Sequence, residues 1–219
     1  MEETRGKDRY WSNRLRYCQK ALEENGFEAF IAKNPESAKA IVLEQIFPAV
    51  GAKTVSWGDS LTLHATGLLD AFSKRSDITL IRTFDATVSR EVIIEARRQA
   101  LLADLFLTGS NALTETGQLV NLDMVGNRVA GMIFGPKTVV ILIGRNKIVP
   151  DLASAKARIK GFAAPVNAMR HDFFSPCAKT AHCLDCKRAT RICNTWAIIE
   201  HCHPPGRIKV VLVNADLGY

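Results

Sequence analysis

Apolar residues follow two patterns that alternate along the chain. Short runs that are apolar throughout are typical of strands buried on both faces of a parallel sheet. The longer stretches between them repeat their apolar residues at helical spacing and carry polar residues on the other side, as helices that cover a sheet do. The alternation predicts an α/β fold with a Rossmann-like, mostly parallel sheet and helices on both faces.

Turn and capping residues set the boundaries of these elements. Asn25 and Gly26 end an N-terminal helix within residues 1–26, and Pro35 suits the first turn of the next helix. Asp59 or Ser60 caps a third helix that runs to about residue 74. The predicted strands cover residues 27–32, 54–57, 78–82, 105–108, 129–134, 138–143 and 208–213. The predicted helices cover residues 6–25, 35–47, 60–74, 89–103 and 151–159.

Length and charge limit the classes of protein. The chain has 219 residues and is 47% hydrophobic, which is enough to bury the core of one domain over residues 1–219. The charged N-terminus has no apolar signal region, and the longest apolar run, residues 139–143, is too short for a bilayer, so we expect a cytoplasmic protein with no membrane span. The net charge of +7 is spread along the chain without a basic run, which argues against nucleic-acid binding.

Four cysteines fall within a segment at residues 176–203 that is poor in apolar residues. Cys177, Cys183, Cys186 and Cys193 are spaced C-x5-C-x2-C-x6-C. A C-x2-C turn brings two thiolates together, and the flanking cysteines can complete a set of four sulfur ligands. Such a set suits an iron–sulfur cluster or a structural zinc. Buried free cysteines or disulfides are the alternative, and a reducing cytoplasm disfavours disulfides.

Basic residues accompany these cysteines. Lys179, Lys187, Arg188 and Arg191 lie among them in sequence, and cations offset the negative charge of a thiolate-ligated cluster. An all-sulfur ligand set surrounded by cations favours a 4Fe-4S cluster over zinc. The same cations could equally attract an acidic partner or substrate.

A second distinctive segment, residues 108–131, is polar although apolar strands are predicted on both sides of it. In an open α/β sheet ligands bind beyond the carboxyl ends of the strands, where a loop after residue 108 would lie. Glu115 is the candidate catalytic carboxylate, and Arg128 is a candidate carboxylate clamp because its planar fork matches a carboxylate. A hairpin with polar turns is the alternative. The candidate binding residues are Ser60, Asn111, Thr114, Thr116, Gly117, Asn121, Asp123, Asn127 and Arg128.

Several stretches resemble the lactate-utilisation (LUD) domain family. They are TETGQLVNLD, GNRVAGMIFGPKTVVILIGRNKIV, the cysteine segment ending in RICN, and the closing RIKVVLVNADLGY, so that the resemblance extends from about Trp57 to Tyr219. It implies a fold of the sugar isomerase/CoA-transferase-like type and a role in oxidising lactate to pyruvate within an iron–sulfur protein system. The four-cysteine segment resembles that of a subset of single-domain relatives.

Two functional hypotheses follow. In the first, the chain is an iron–sulfur subunit of an L-lactate-oxidising oxidoreductase that relays electrons from a small hydroxy acid to a redox partner protein. The sequence has no G-x-G-x-x-G after a strand, so it carries no nicotinamide or flavin fingerprint and the electron acceptor must lie in the cluster or a partner. In the second, the chain is a small-molecule-binding isomerase/transferase-like enzyme or regulator. A zinc ion or cluster then has only a structural role in the C-terminal segment.

Overall fold

The structure, a computed structural model, describes residues 2–219, with side chains from residue 5 onward. Its described residues form a six-stranded sheet in the order β1-β10-β7-β4-β2-β3, with all neighbouring strands parallel, and a four-stranded sheet in the order β8-β5-β6-β9. The strands are β1 (Glu28–Ala32), β2 (Thr54–Trp57), β3 (Thr79–Ile81), β4 (Leu105–Gly109), β5 (Ala112–Thr114), β6 (Leu119–Asp123), β7 (Thr138–Gly144), β8 (Ile148–Val149), β9 (Thr195–Ile199) and β10 (Ile208–Val213).

The helices fill the connections between the strands. They are α1 (Glu2–Glu24), α2 (Pro35–Ala40), α3 (Phe47–Val50), α4 (Leu61–Ala65), α5 (Leu68–Ser73), α6 (Arg90–Gln99), α7 (Asn127–Ile133), α8 (Leu152–Arg158), α9 (Ala164–Arg170) and α10 (Pro176–Thr180). Turns of π-helix, Ile41–Ile46 and Ile159–Ala163, join α2 to α3 and α8 to α9. Turns of 3-10 helix, Ala100–Leu102 and Arg145–Lys147, follow α6 and β7.

Both faces of the parallel sheet are buried, as the apolar strands predict. Along β7, Val139, Ile141 and Ile143 face a core formed with α1, α7 and the β5–β6 hairpin. Val140 and Leu142 alternate with them and face a second core formed with α2 to α5. Full burial of each such side chain stabilises the fold by about 1.5–3 kcal/mol. The predicted α/β architecture is confirmed.

The polar segment folds as an antiparallel hairpin, β5–β6, in the second sheet. Leu113 and Leu119 turn one face of the hairpin toward the parallel sheet. On the other face Val120 packs beneath α8. The hairpin thus projects from the carboxyl end of β4 and forms a wall beside the strand ends.

The prediction of a strand over residues 129–134 is wrong, because this stretch is helix α7. Val129 and Met132 are buried three residues apart while Ile133 and Phe134 are exposed, which is a helical and not an alternating pattern. Gly131 lies against the Phe106 ring, and an added Cβ would come within 3.0 Å of that ring. A run of apolar residues this short does not distinguish a strand from a buried helix.

Two helices continue beyond their predicted ends. The helix after Pro35 runs on through a π turn to α3, and the helix after Asp151 runs on through another π turn to α9. Pro48 and Pro165 lie just after these π turns. Proline has no N–H and commonly ends a helix, so its presence suggests a stop, whereas a widened turn lets the helix continue. Among residues 2–219, no helix is both long and apolar enough to cross a membrane.

Candidate functional site

A cavity of about 420 Å³ lies beyond the carboxyl ends of β2, β4 and β6. Helices α4, α7 and α9 and the π turn Ile159–Ala163 close its sides. This is the edge at which open α/β sheets bind ligands. Its polar and charged lining residues include Asp59, Ser60, His64, Arg97, Ser110, Asn111, Asp123, Asn127, Arg128, Lys147, Asn167, Arg170, His171 and Tyr219.

Arg128 is fixed in the wall of this cavity by hydrogen bonds from all five of its N–H groups. Nε and Nη2 both donate to Asp123 Oδ1, at 2.9 and 2.5 Å. Nη1 donates to the Gly109 carbonyl at 2.8 Å and to Asn121 Oδ1 at 2.7 Å. Nη2 also donates to Asn111 Oδ1 at 2.8 Å. A guanidinium has five N–H donors, so no free fork remains for a ligand carboxylate. Arg128 therefore positions the strand ends.

Two glycines permit this close packing. A Cβ on Gly58 would lie 2.8 Å from Arg128 Cγ, and a Cβ on Gly109 would lie 2.3 Å from Ser60 Oγ. Ser60 Oγ accepts a hydrogen bond from the Leu63 N–H and caps α4, as predicted for one of the two candidate caps. Glycine at both strand ends lets the backbone approach the groups that shape the cavity.

The charges around the cavity do not balance. Four lysine or arginine side chains and two aspartates line it. Asp123 pairs with Arg128, and Asp59 pairs with Arg170 at 2.5 Å and contacts His64 at 3.3 Å. Within the described part of the chain, neither Arg97 nor Lys147 forms an ion pair with a carboxylate. The cavity therefore has a surplus of positive charge and suits an anionic ligand.

The structure divides the predicted binding residues into two groups. Five of them line the cavity: Ser60, Asn111, Asp123, Asn127 and Arg128. Asn121 is fully buried directly behind them, where its Oδ1 accepts from Arg128 and from the Asn111 N–H. The remaining three, Thr114, Thr116 and Gly117, lie with the candidate catalytic residue Glu115 at the turn end of the hairpin, away from the cavity.

Glu115 belongs to this second group. Its carboxylate forms an ion pair with Arg14 of α1 at 2.8 Å, and the Asn25 side-chain amide donates to the neighbouring Thr116 carbonyl. Gly117 packs so closely on α1 that a Cβ would lie 2.9 Å from the Ala21 backbone. The turn thus anchors the hairpin to α1, and Glu115 does not face the cavity in which a ligand would react.

The cysteine segment adjoins the cavity through Ile192, which lines it together with Phe173, a residue just before the segment. Asp185 organises the segment by accepting from Lys160 at 2.8 Å and from Arg191 at 2.9 Å. Burial lowers the pKa of Lys160, but the Asp185 hydrogen bond and the nearby Cys193 and Cys183 thiols raise it by more. Cations therefore do lie beside the predicted ligands.

The four cysteines do not form a metal site in this conformation. All are half-buried free thiols, and no group of three or more His, Cys, Asp or Glu side chains between residues 5 and 219 is arranged to hold a metal ion. Cys193 Sγ accepts a long contact from Lys160 Nζ at 3.9 Å, and Cys177 Sγ lies 3.3 Å from Ser175 Oγ. A four-sulfur ligand set would require residues 174–194 to rearrange.

Comparison with protein-family models matches residues 15–213 to the LUD domain. The chain belongs to the LUD domain family. The predicted resemblance to this family is thereby confirmed, whereas the likeness of the four-cysteine segment to that of a subset of relatives stays a prediction. Membership of the family implies involvement in lactate utilisation. Comparison with curated proteins finds no match.

One solved structure shows the same fold over most of the chain. The LUD chain is similar to a DUF162 family protein from Deinococcus radiodurans, with a TM-score of 0.52, 16% identity, and coverage of 93% of this chain and 98% of that one. A D-ribose-5-phosphate isomerase bound to phospho-erythronic acid aligns less well, with a TM-score of 0.31, 18% identity, and coverage of 53% of this chain and 56% of that one. The first likeness supports the fold and is too distant to transfer function.

Sequence reasoning missed the basic residues of this LUD domain cavity, Arg97, Lys147 and Arg170, and the whole of α9. Lys147 could have been found, because it follows the longest apolar strand by three residues and hence lies at a carboxyl strand end. Arg97 and Arg170 give no such signal, since each lies in the last turn of a helix and reaches the cavity only through tertiary packing.

Proposed function

We propose that this LUD domain protein acts in the utilisation of lactate or a related 2-hydroxy acid, and that the cavity at the strand ends binds the small hydroxy acid or the corresponding 2-oxo acid. The observation that carries the proposal is the cation surplus of a cavity of about 420 Å³, in which both aspartates are already paired. Carboxylates are stabilised by such a field, and hydroxyl groups of a ligand find hydrogen-bond partners in Ser60, Ser110 and Asn127.

Asn127 offers the sharpest test of this cavity. It lines the cavity as the first residue of α7, where a negative charge favours the helix. Asn127→Asp preserves the side-chain shape, adds a negative charge and should leave thermal stability unchanged or slightly raised. Calorimetric titration with L-lactate and pyruvate should show at least tenfold weaker binding, because the new carboxylate repels that of the ligand.

Glu115→Gln is the matched control. It also changes one acidic charge, but at the hairpin turn that packs on α1 and away from the cavity. Binding should be unaffected. Loss of affinity in Glu115→Gln with normal binding in Asn127→Asp would place the ligand at the hairpin turn and contradict the proposal.

The second part of the proposal concerns the cofactor. We propose that Cys177, Cys183, Cys186 and Cys193 bind a 4Fe-4S cluster, with zinc as the alternative, and that the protein passes electrons from the hydroxy acid to a redox partner protein. The cysteine spacing and the adjacent Lys160 and Arg191 side chains support it.

Metal analysis of anaerobically purified protein tests the cofactor. Brown protein with about four irons per chain is the expected result. Colourless protein with one zinc would contradict the electron-transfer role and indicate a structural zinc ion. The proposal for the cavity would not be affected.

A further inference from the structure

Lys147 is the most deeply buried charged group of the cavity. It ends the 3-10 turn Arg145–Lys147 that follows β7, and its side chain is 5% exposed while lining the cavity. A lysine is almost never buried to this extent without a carboxylate partner, because the loss of hydration destabilises the ammonium. Lys147 has no such partner among the residues that the structure describes.

The contacts of Lys147 hold its amine in place without neutralising it. Nζ donates to Thr62 Oγ1 at 2.9 Å, and Thr62 in turn donates its hydroxyl proton to the Leu217 carbonyl at 3.0 Å. The Thr62 proton is thereby committed, so its oxygen can only accept from Lys147. The Gly218 backbone lies so close that an added Cβ would be 3.3 Å from Nζ. One N–H of the Lys147 amine is used in this hydrogen bond, and the remaining N–H groups can bind a ligand.

The charged groups that act on Lys147 are also positive. Arg158 reaches it from α8 and Arg128 from α7. From its own turn, Arg145 is paired with Asp216. The contacts from α4 and from the segment after β10, the Thr62 hydroxyl and the Gly218 backbone, do not titrate. The positive charges of Arg158 and Arg128 would stabilise an anion bound beside this buried amine.

We propose that Lys147 is the anion-binding residue of the cavity, and that it takes up a proton when a small oxyanion, a carboxylate or a phosphate, binds. The inference rests on the proposed function in locating the ligand in this cavity, and it names the group that holds its negative charge. A salt bridge to the ligand would give the ammonium an anionic partner in place of a protein carboxylate. It would also offset the cost of desolvating the ammonium.

Protonation sets the pH dependence. Burial, reinforced by Arg158 and Arg128, lowers the pKa of Lys147 to about 7. Below pH 7 the amine already carries its proton in the free protein. Above pH 7 it is largely neutral, and a bound anion raises its pKa again, so binding draws in a proton. Affinity should therefore fall by up to about tenfold per pH unit above 7 and level off below it.

Calorimetric titration of the intact protein in two buffers of different ionisation enthalpy measures this uptake directly. L-lactate, pyruvate and inorganic phosphate are the probes. We expect about one proton taken up per anion at pH 8 and almost none at pH 6. Lys147→Met should bind at least tenfold more weakly at pH 6 and take up no proton at pH 8. Lys156→Met, which removes an exposed lysine from neighbouring α8, should behave as the wild type.

The outcomes separate this inference from the proposed function. Phosphate binding that depends on Lys147, without binding of either carboxylate, would support the anion site and contradict the hydroxy-acid proposal. Carboxylate binding that is unchanged in Lys147→Met, or wild-type binding without proton uptake at pH 8, would overturn the role of Lys147 and leave the cavity as the ligand site. The proton count needs no variant, so it decides the matter even if Lys147→Met does not fold.

Discussion

The cavity wall and the cysteine segment lie side by side, yet they are held in opposite ways. In the wall, Arg128 is 11% exposed and donates five hydrogen bonds to acceptors on β4, on β6 and in the loop between β4 and β5. In the segment at residues 174–194, the described side chains are exposed or half-buried except for Ser175 and Ile192. Folding of the sheet alone fixes the wall, whereas the segment has little apolar surface to hold it.

The difference separates two kinds of site. A cavity built from strand ends is pre-organised, because its polar groups are ordered by the same packing that stabilises the fold. A cysteine segment with few packing contacts gains its order from what it binds, since metal ligation supplies folding energy that the chain lacks. Each prediction below tests whether the two regions really are independent.

The largest effect is expected from Arg128→Met in the cavity wall. Removing the guanidinium leaves Asp123 as an unpaired buried carboxylate, and loss of one partner of a buried pair costs about 3–5 kcal/mol. The midpoint of chemical denaturation should fall accordingly. Arg98→Met, which removes an exposed arginine paired with Glu95 on α6, should change the midpoint little. A stable Arg128→Met variant that binds ligand poorly would instead support the prediction from the sequence that Arg128 binds a ligand carboxylate.

Much of this contrast is visible in the sequence. The strands over residues 54–57 and 208–213 are predicted to the residue, because both are rich in β-branched or aromatic residues and follow turn signals. The polar segment is identified as a wall of the site by its position after β4. The sequence does not show that one end of this segment lines the cavity and the other packs on α1. The reason is that hairpin geometry depends on tertiary contacts such as that of Arg14 with Glu115.

The chemistry of the wall is harder to predict than its location. Arg128 resembles a clamp in sequence, and only the structure shows that all its donors are used. Lys147 escapes notice because burial, which makes it unusual, is a property of the fold. For the cysteines the sequence indicates more than the structure does. Their spacing predicts a metal-ligand set, but the conformation of residues 174–194 does not bring the four thiols together.

The second-largest effect is expected from Lys147→Met, which should make the folded protein more stable. Lys147→Met removes a buried amine that lacks a charge partner, and comparable replacements are stabilising by about 1–4 kcal/mol. The pKa of Lys147 is about 7 in the folded protein and 10.5 when exposed, so the unfolded chain binds more protons between these values and wild-type stability rises across them. The advantage of the variant should be greatest below pH 7, and it should be smaller at pH 9 than at pH 7.

Denaturation with guanidinium at both pH values measures this difference. Lys156→Met should show no such pH-dependent gain. Equal stability of Lys147→Met and wild type at pH 7 would mean that burial of the amine does not destabilise the fold, and would weaken the contrast between a fixed wall and an adaptable segment.

A smaller and local effect is expected from Cys183→Ser. If the four cysteines bind one metal, the variant should lose it and residues 174–194 should be cut faster by protease, while the main unfolding transition moves little. Cys18→Ala removes a buried thiol outside the segment and should retain the metal. A fall in the main transition of Cys183→Ser comparable to that of Arg128→Met would show that the segment and the wall form one cooperative unit.

The smallest effect should come from Asp185→Asn, which acts on the one set of charges that joins the two regions. Asp185 is 75% exposed and links Arg191 in the segment to Lys160 in the π turn Ile159–Ala163 of the wall. The Lys160 hydrogen bond holds the pKa of Asp185 below its usual range. The link therefore persists at neutral pH and is lost only as pH falls through that lowered pKa.

Exposed ion pairs contribute little, so Asp185→Asn should leave the melting temperature unchanged. Its effect should appear in protease cleavage within residues 174–194, faster by about two- to five-fold because the segment opens more often. Asp77→Asn breaks a similar exposed pair with Arg75, far from the cysteines, and should alter neither quantity. Wild-type protein at a pH low enough to protonate Asp185 should match the variant in cleavage rate. If cleavage stays unchanged in Asp185→Asn, contacts other than this charge link hold the segment against the cavity wall, and the segment is less adaptable than its exposure indicates.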